Sequence, residues 1–379
     1  MPSVLQVIQQ GELRGAEVFA LDLSGELARD GWKVAFLSLF GFDAPFSAAA
    51  DAAGVNVSVA RPNGHARGFD IRLAAQLRSV IDHGGYDVVQ ANGAATLKYL
   101  VAARRLSRRP WRLVYRAIGV GSYWRRGLAR RLAYRWLLAQ PDLIVAVCRA
   151  VADDLTRASG VDARKVVVVP NGVQPARIGS QPDERRRVRD SLGITPSERL
   201  LIYVGSLANE KNLGALVDAV AGCRREGVPV KALLVGDGPA RAQLVADAAR
   251  NGLGSAIQFL PAQGRVGAYF AAADLCVLPS LSEGMPAAVI EAGMAGLPAV
   301  AYAVGGVPEV IEDGVTGVLL RARDQAGLTG AVAALLRDDA QRAVLGRAAK
   351  SRYRRFEIAT VAQAYRDAYD LLLEERLAG

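Results

Sequence analysis

The chain has 379 residues, 51% of them apolar, which is enough for two domains with separate cores and too apolar for a disordered chain. Its formal net charge is +10 at pH 7, and nearly all of the excess falls in residues 1–172. Cys148, Cys223 and Cys276 lie in or beside apolar runs without C-x-x-C spacing, which argues against a disulfide framework or a cysteine metal site. The first residues lack the basic stretch and apolar core of a signal peptide. No apolar run approaches the ~18 residues of a membrane span, so a cytoplasmic protein is expected.

Taken in order, Val4 to Ile8 reads as a short strand, followed by a Gly-containing turn and a helix over 16–30. This strand–turn–helix opening is Rossmann-like without a full G-x-G-x-x-G. Strand and helix patterns then alternate as far as Val166 to Val169, which predicts a parallel, doubly wound sheet. Pro170-Asn171-Gly172-Val173 breaks the pattern and a polar, Arg-rich stretch to Arg189 follows, which places the domain boundary there. The second half restarts the alternation. A strand ends at Gly205-Ser206, with Lys211-Asn212 close behind it, and a second strand runs into Gly236-Asp237-Gly238. A third, Leu275 to Leu278, stops at Pro279. A polar turn with Glu283 and a helix over 287–295 follow, with Pro286 at its mouth and Glu291 inside it. A helix mouth offers free N–H groups and a positive dipole end to an anion, and a carboxylate such as Glu291 can accept two hydroxyl donors at once.

These residues resemble the retaining glycosyltransferases of family 4, two-domain enzymes of the GT-B fold. The marks are the E-x7-E pair Glu283 and Glu291 and the following GG-x-PE turn, here Gly305, Gly306, Pro308 and Glu309. The resemblance implies an α/β fold of two Rossmann-like domains facing across a cleft. Residues 1–172 would form the acceptor-side domain and 173–358 the nucleotide-sugar domain, with 359–379 a C-terminal helix packing back on the first domain. It further implies that Glu291 binds the donor ribose and Glu283 the transferred sugar. Lys211 would hold the diphosphate with Gly205 and Ser206, and backbone groups at Gly284, Met285 and Ala287 would orient the donor. Gly15 would close over it from the first domain.

The chain departs from the family pattern at several places. Ser206 stands where relatives carry a phosphate-binding arginine, and Arg14 replaces the first glycine of a GGAE turn. No histidine follows His83, and the first-domain segment where relatives keep one reads Tyr115-Arg116-Ala117. Arg116 and Asn92 are the acceptor-side candidates there. No D-x-D triplet occurs, so neither a bridging metal ion nor any other cofactor is expected.

No acidic residue lies between Asp87 and Asp142, whereas Lys and Arg recur from Lys98 to Arg135 with Trp and Tyr interleaved. This basic window of 98–135 suits an anionic membrane surface or a polyanionic, lipid-linked glycan. No nucleic-acid-binding module accompanies it. The expected activity is transfer of a sugar from a UDP- or GDP-linked donor to a lipid-linked, polysaccharide or small-molecule acceptor with retention of configuration. The alternatives are a GT-B sugar-nucleotide epimerase and a non-catalytic, membrane-associated nucleotide-sugar-binding protein.

Overall fold

The structure, a computed structural model, describes residues 1–62, 68–119 and 127–378. It divides into two compact units, Met1–Gly172 with Ile358–Gly379, and Val173–Glu357. In unit 1 the elements are β1 (Ser3–Ile8), α1 (Gly15–Arg29), β2 (Lys33–Phe40), α2 (Ala44–Ala52), β3 (Val57–Arg61), α3 (Ile71–Gly84) and β4 (Val88–Asn92). They continue with α4 (Ala94–Leu106), β5 (Arg112–Ala117), α5 (Leu128–Leu138), β6 (Leu143–Ala146), α6 (Arg149–Asp153) and β7 (Val166–Val168). Among the described residues the strands form one parallel sheet in the order β3-β2-β1-β4-β5-β6-β7. The order reverses between β1 and β4, where such sheets place their ligand crevice.

Local sequence accounts for these elements. All six residues of β1 are buried, as expected of a central strand covered on both faces. In α3 the buried Leu73, Ala74, Leu77 and Ile81 recur at helical spacing. Asp70 caps its start by accepting from the Arg72 N–H, and Gly85 ends it in the left-handed conformation. The alternation read from the sequence passes over α2, whose start is fixed by Asp43 accepting from the Phe46 N–H at 2.7 Å.

Unit 2 holds α7 (Pro175–Ile178), α8 (Glu184–Ser191), β8 (Arg199–Val204), α9 (Gly214–Arg225), β9 (Val230–Val235), α10 (Arg241–Arg250) and β10 (Ile257–Leu260). Next come α11 (Gly267–Ala272), β11 (Leu275–Leu278), α12 (Ala287–Met294), β12 (Ala299–Tyr302), α13 (Val307–Val310), β13 (Gly317–Leu320), α14 (Gln325–Arg337) and α15 (Asp339–Arg352). Its described strands are parallel in the order β10-β9-β8-β11-β12-β13, reversing between β8 and β11. The Arg-rich stretch after Val173 forms α7 and α8. Arg185 and Arg189 of α8 both reach Asp274, at 2.8 and 3.2 Å, and Asp274 also accepts from the Leu200 N–H. Those arginines are consumed in fixing α8 to the sheet.

The last helix, α16 (Ile358–Ala378), belongs to unit 1. Its Tyr365, Tyr369 and Leu372 join Val4, Phe19, Leu23, Trp32 and Val88 in one core. Several polar side chains against that core are linked. The Tyr369 hydroxyl donates to Gln90 Oε1 at 2.6 Å, and Gln90 donates to Gln6 Oε1 at 3.0 Å. All three cysteines are buried and none is disulfide-bonded; burial pushes the Cys276 thiol up to about 12 and Cys223 to about 11. Replacing Tyr369 by Phe removes the donor to a buried Gln90 oxygen, and is expected to cost about 1–3 kcal/mol of stability in urea unfolding.

Candidate functional site

In unit 2 the loops that leave the carboxyl ends of β8, β9, β11 and β12 are bound to one another through their backbones. Gly205 donates to Val235 O at 3.0 Å, Leu207 to Asp237 O at 2.9 Å, and Leu281 to Glu210 O at 2.8 Å. The approach is close enough to require glycine. A Cβ on Gly236 would lie 1.9 Å from Gly205 O, and one on Gly305 would lie 1.8 Å from Glu283 O. Gly305 also has φ +54°, and the next N–H, of Gly306, donates to Gly284 O at 2.8 Å. The GG-x-PE turn is therefore a backbone clamp on the Glu283 turn.

Onto this frame the sequence hangs three charged groups. Lys211 ends a single 3-10 turn, Asn209–Lys211, followed by Asn212 at φ +51°. Asn212 donates to Pro279 O at 3.1 Å and so ties this loop to the end of β11. The Lys211 Nζ donates to Glu283 Oε1 at 2.8 Å, with the two side chains 20% and 8% exposed. In a pair this enclosed the attraction is less screened than at the surface but offset by desolvation, and losing either partner strands a desolvated charge. Pro286 precedes α12 without a side-chain cap, so the first N–H groups of Ala287 onward have no capping side chain. One turn in, Glu291 lies 3.8 Å from an Arg177 nitrogen of α7. Ser206 is exposed, and its carbonyl accepts from the Tyr203 hydroxyl at 2.9 Å. Met285 is buried.

The structure thus brings Lys211 and Glu283 into contact and places Gly205, Ser206, Gly284, Met285, Ala287 and Glu291 on the same set of loops and helix mouth. Arg177 and Tyr203 were not singled out in the sequence. Arg177 was hidden in an arginine-rich run, and only the one-turn helix begun by Pro175 sets it apart.

The first-unit candidates are on α1, β4 and β5. Gly15 opens α1 and is exposed, while Arg14 is paired with Glu12. Asn92 and Arg116 are interior: Asn92 donates to Gln6 Oε1 at 2.9 Å, and Arg116 is 1% exposed, donating to Asn171 Oδ1 at 2.6 Å and Ala16 O at 3.3 Å. The Arg116 guanidinium also lies 3.9 Å from the centre of the Phe19 ring. The described polar contacts of both are made within unit 1. Glu17, in the first turn of α1, has an oxygen buried without a partner among the described residues. Burial raises its carboxyl to about 7, against the opposing pull of Arg14 and Arg116.

Residues 184–352 match the family model described as glycosyl transferases group 1, and residues 13–177 match that described as glycosyltransferase family 4. A D-inositol 3-phosphate glycosyltransferase of Nocardia farcinica is 31% identical over 258 residues, covering 65% of this chain and 56% of that protein. The chain spans a little over half the length of the curated relatives it matches first. Among solved structures, Anabaena HepE in complex with UDP and glucose superposes with a TM-score of 0.85 at 24% identity, covering 98% of this chain and all of that one. Sucrose-phosphate synthase from Thermosynechococcus elongatus superposes with a TM-score of 0.81 at 19% identity, covering 99% of this chain and all of that one. The chain has the GT-B fold, and its two halves match the family 4 and group 1 glycosyltransferase models respectively.

Glu17 gives a pH signature. Its ordinary value is 4.5, so the folded state holds the proton more tightly than the unfolded chain between 4.5 and about 7. Stability contributed by the protonated form is complete below that window and lost as pH rises through it, by up to about 3 kcal/mol. In urea unfolding from pH 5 to 8, the wild type should lose stability relative to Glu17→Gln as pH rises.

Proposed function

We propose that this chain transfers a sugar from a UDP- or GDP-linked donor to a lipid-linked, polysaccharide or small-molecule acceptor, with retention of anomeric configuration. The observation that carries the reading is the enclosed Lys211–Glu283 pair, 2.8 Å long, beside the uncapped mouth of the helix that bears Glu291. Support also comes from the two glycosyltransferase family matches and from the fold shared with HepE, solved with UDP and glucose.

In this mechanism Glu291 accepts hydrogen bonds from the donor ribose and Glu283 from hydroxyls of the transferred sugar. Lys211 supplies the positive charge that meets the departing diphosphate. The N–H groups at Gly284, Met285 and Ala287 add a fixed dipole that needs no reorganisation as charge develops. Ser206 contributes a hydrogen bond but no charge, so the load on Lys211 is greater than in relatives with an arginine there. Neither metal nor cofactor enters the scheme. The acceptor oxygen attacks on the face the leaving group vacates, and its proton passes to the departing phosphate oxygen.

The experiment is release of UDP or GDP from a panel of sugar nucleotides, with and without lipid-linked acceptor. Lys211→Ala should lower turnover at least about tenfold, while Glu291→Ala should weaken donor binding by about 1.5–3 kcal/mol. Nucleotide binding without release under every acceptor would favour the non-catalytic reading, and interconversion of the free donor would favour an epimerase.

A specific surface supports an anionic partner. On α5 the residues Leu128, Leu132 and Trp136 are 73%, 56% and 47% exposed at four-residue spacing, alongside the exposed Arg130, Arg131 and Arg135. The Arg105 guanidinium stacks 4.7 Å from the Trp136 ring centre. Three further cations of the basic window are engaged within the protein: Arg104 and Arg112 pair with Asp142, and Arg116 is internal. The segment Tyr123-Trp124-Arg125-Arg126 lies outside the described residues. No described helix is long and apolar enough to cross a membrane. An amphipathic, cationic helix of this kind suits the interface of an anionic bilayer. Phosphatidylglycerol vesicles should bind the protein at low salt and release it as salt rises, and Leu132→Glu should weaken binding. Equal binding to neutral vesicles, or none to either, would remove the lipid partner.

A further inference from the structure

Arg177 lies on the first element of unit 2, and its backbone is held from two sides. Val173, just ahead of α7, donates its N–H to Phe356 O at 2.8 Å and bridges to Glu357. At the other end Ile178 is buried, and its carbonyl meets α11 so closely that a Cβ on Gly267 would stand 2.5 Å away. Pro175 sets the turn between these anchors. The guanidinium is carried to α12, 3.8 Å from Glu291 Oε1, with side chains 20% and 14% exposed. That separation exceeds hydrogen-bond length, so this contact acts through charge.

We propose that Arg177 is a positioning residue for Glu291, holding its carboxylate in the orientation that accepts the ribose hydroxyls of the donor nucleotide. The proposal rests on the assignment of Glu291 to the ribose. Arg177 touches no reacting atom. It steadies a partly desolvated carboxylate from an element whose own position is fixed by the chain's entry into unit 2. A lysine there carries the same charge without the planar fork and retains part of the effect.

The test is calorimetric titration of the full chain with UDP and GDP, and with the 2′-deoxy form of whichever binds. The expected result is that Arg177→Met weakens ribonucleotide binding by about tenfold, leaves the deoxynucleotide at its wild-type affinity, and is partly rescued in Arg177→Lys. An equal loss for both nucleotides marks general loosening of α12 and overturns the proposal. So does unchanged ribose discrimination in Arg177→Met. A wild type that binds nucleotide without distinguishing ribose from deoxyribose overturns the Glu291 assignment and Arg177 with it, and absence of nucleotide binding overturns the donor reading as a whole. If the Met variant does not fold, Arg177→Gln and Arg177→Lys carry the same comparison, and loss of discrimination in neither overturns the proposal.

Discussion

The second unit depends on one contact that leaves no room for a side chain. Gly305 presses against the carbonyl of Glu283, and Gly306 hydrogen-bonds the next carbonyl, so the loop after β12 fixes the loop after β11 through main chain alone. Main-chain clamps of this kind do not depend on rotamers, and the carboxylate they present is set before any ligand arrives. From the other side, Asn212 and Leu281 bind the β8 loop to the same turn. Lys211 and Glu283 are therefore brought together by backbone geometry, and their ion pair is a result of the frame as much as a support for it.

The two enclosed ion pairs divide the work of desolvation. A carboxylate removed from water without a cation is expensive, and each of the two glutamates has one at hand, Lys211 for Glu283 and Arg177 for Glu291. The cations differ in kind. Lysine is a compact, mobile point charge on a flexible stem, suited to changing partner; arginine is a rigid fork, suited to staying.

Much of this was legible in the chain. Strand–helix alternation gave the parallel sheets, because a strand covered on both faces must be apolar throughout, as β1 and β11 are. The pairing of Glu283 with Glu291 and the double glycine after it pointed to the loops and helix that the structure assembles around them. What stayed hidden did so for physical reasons. The Arg-rich run after Gly172 shows only as polar sequence, since nothing local reveals that Asp274, some ninety residues on, accepts from two of its arginines. Nor does the sequence show that Arg116, at a strand end, meets Asn171, Ala16 and the Phe19 ring. An Ala-rich stretch without clear periodicity hid α2. Long-range pairing, unlike periodicity, leaves no mark on neighbouring residues.

The return of α16 to the first unit has a bearing on how the protein is made. Tyr365 and Tyr369 are wholly buried there, beside residues such as Val4 and Phe19 that leave the ribosome hundreds of residues earlier. The amino-terminal half must wait, its core open, while all of Val173–Glu357 is synthesised. The second unit is continuous in sequence and has no such delay. The part of the molecule begun first is thus completed last, and a nonsense codon late in the gene would injure the early half.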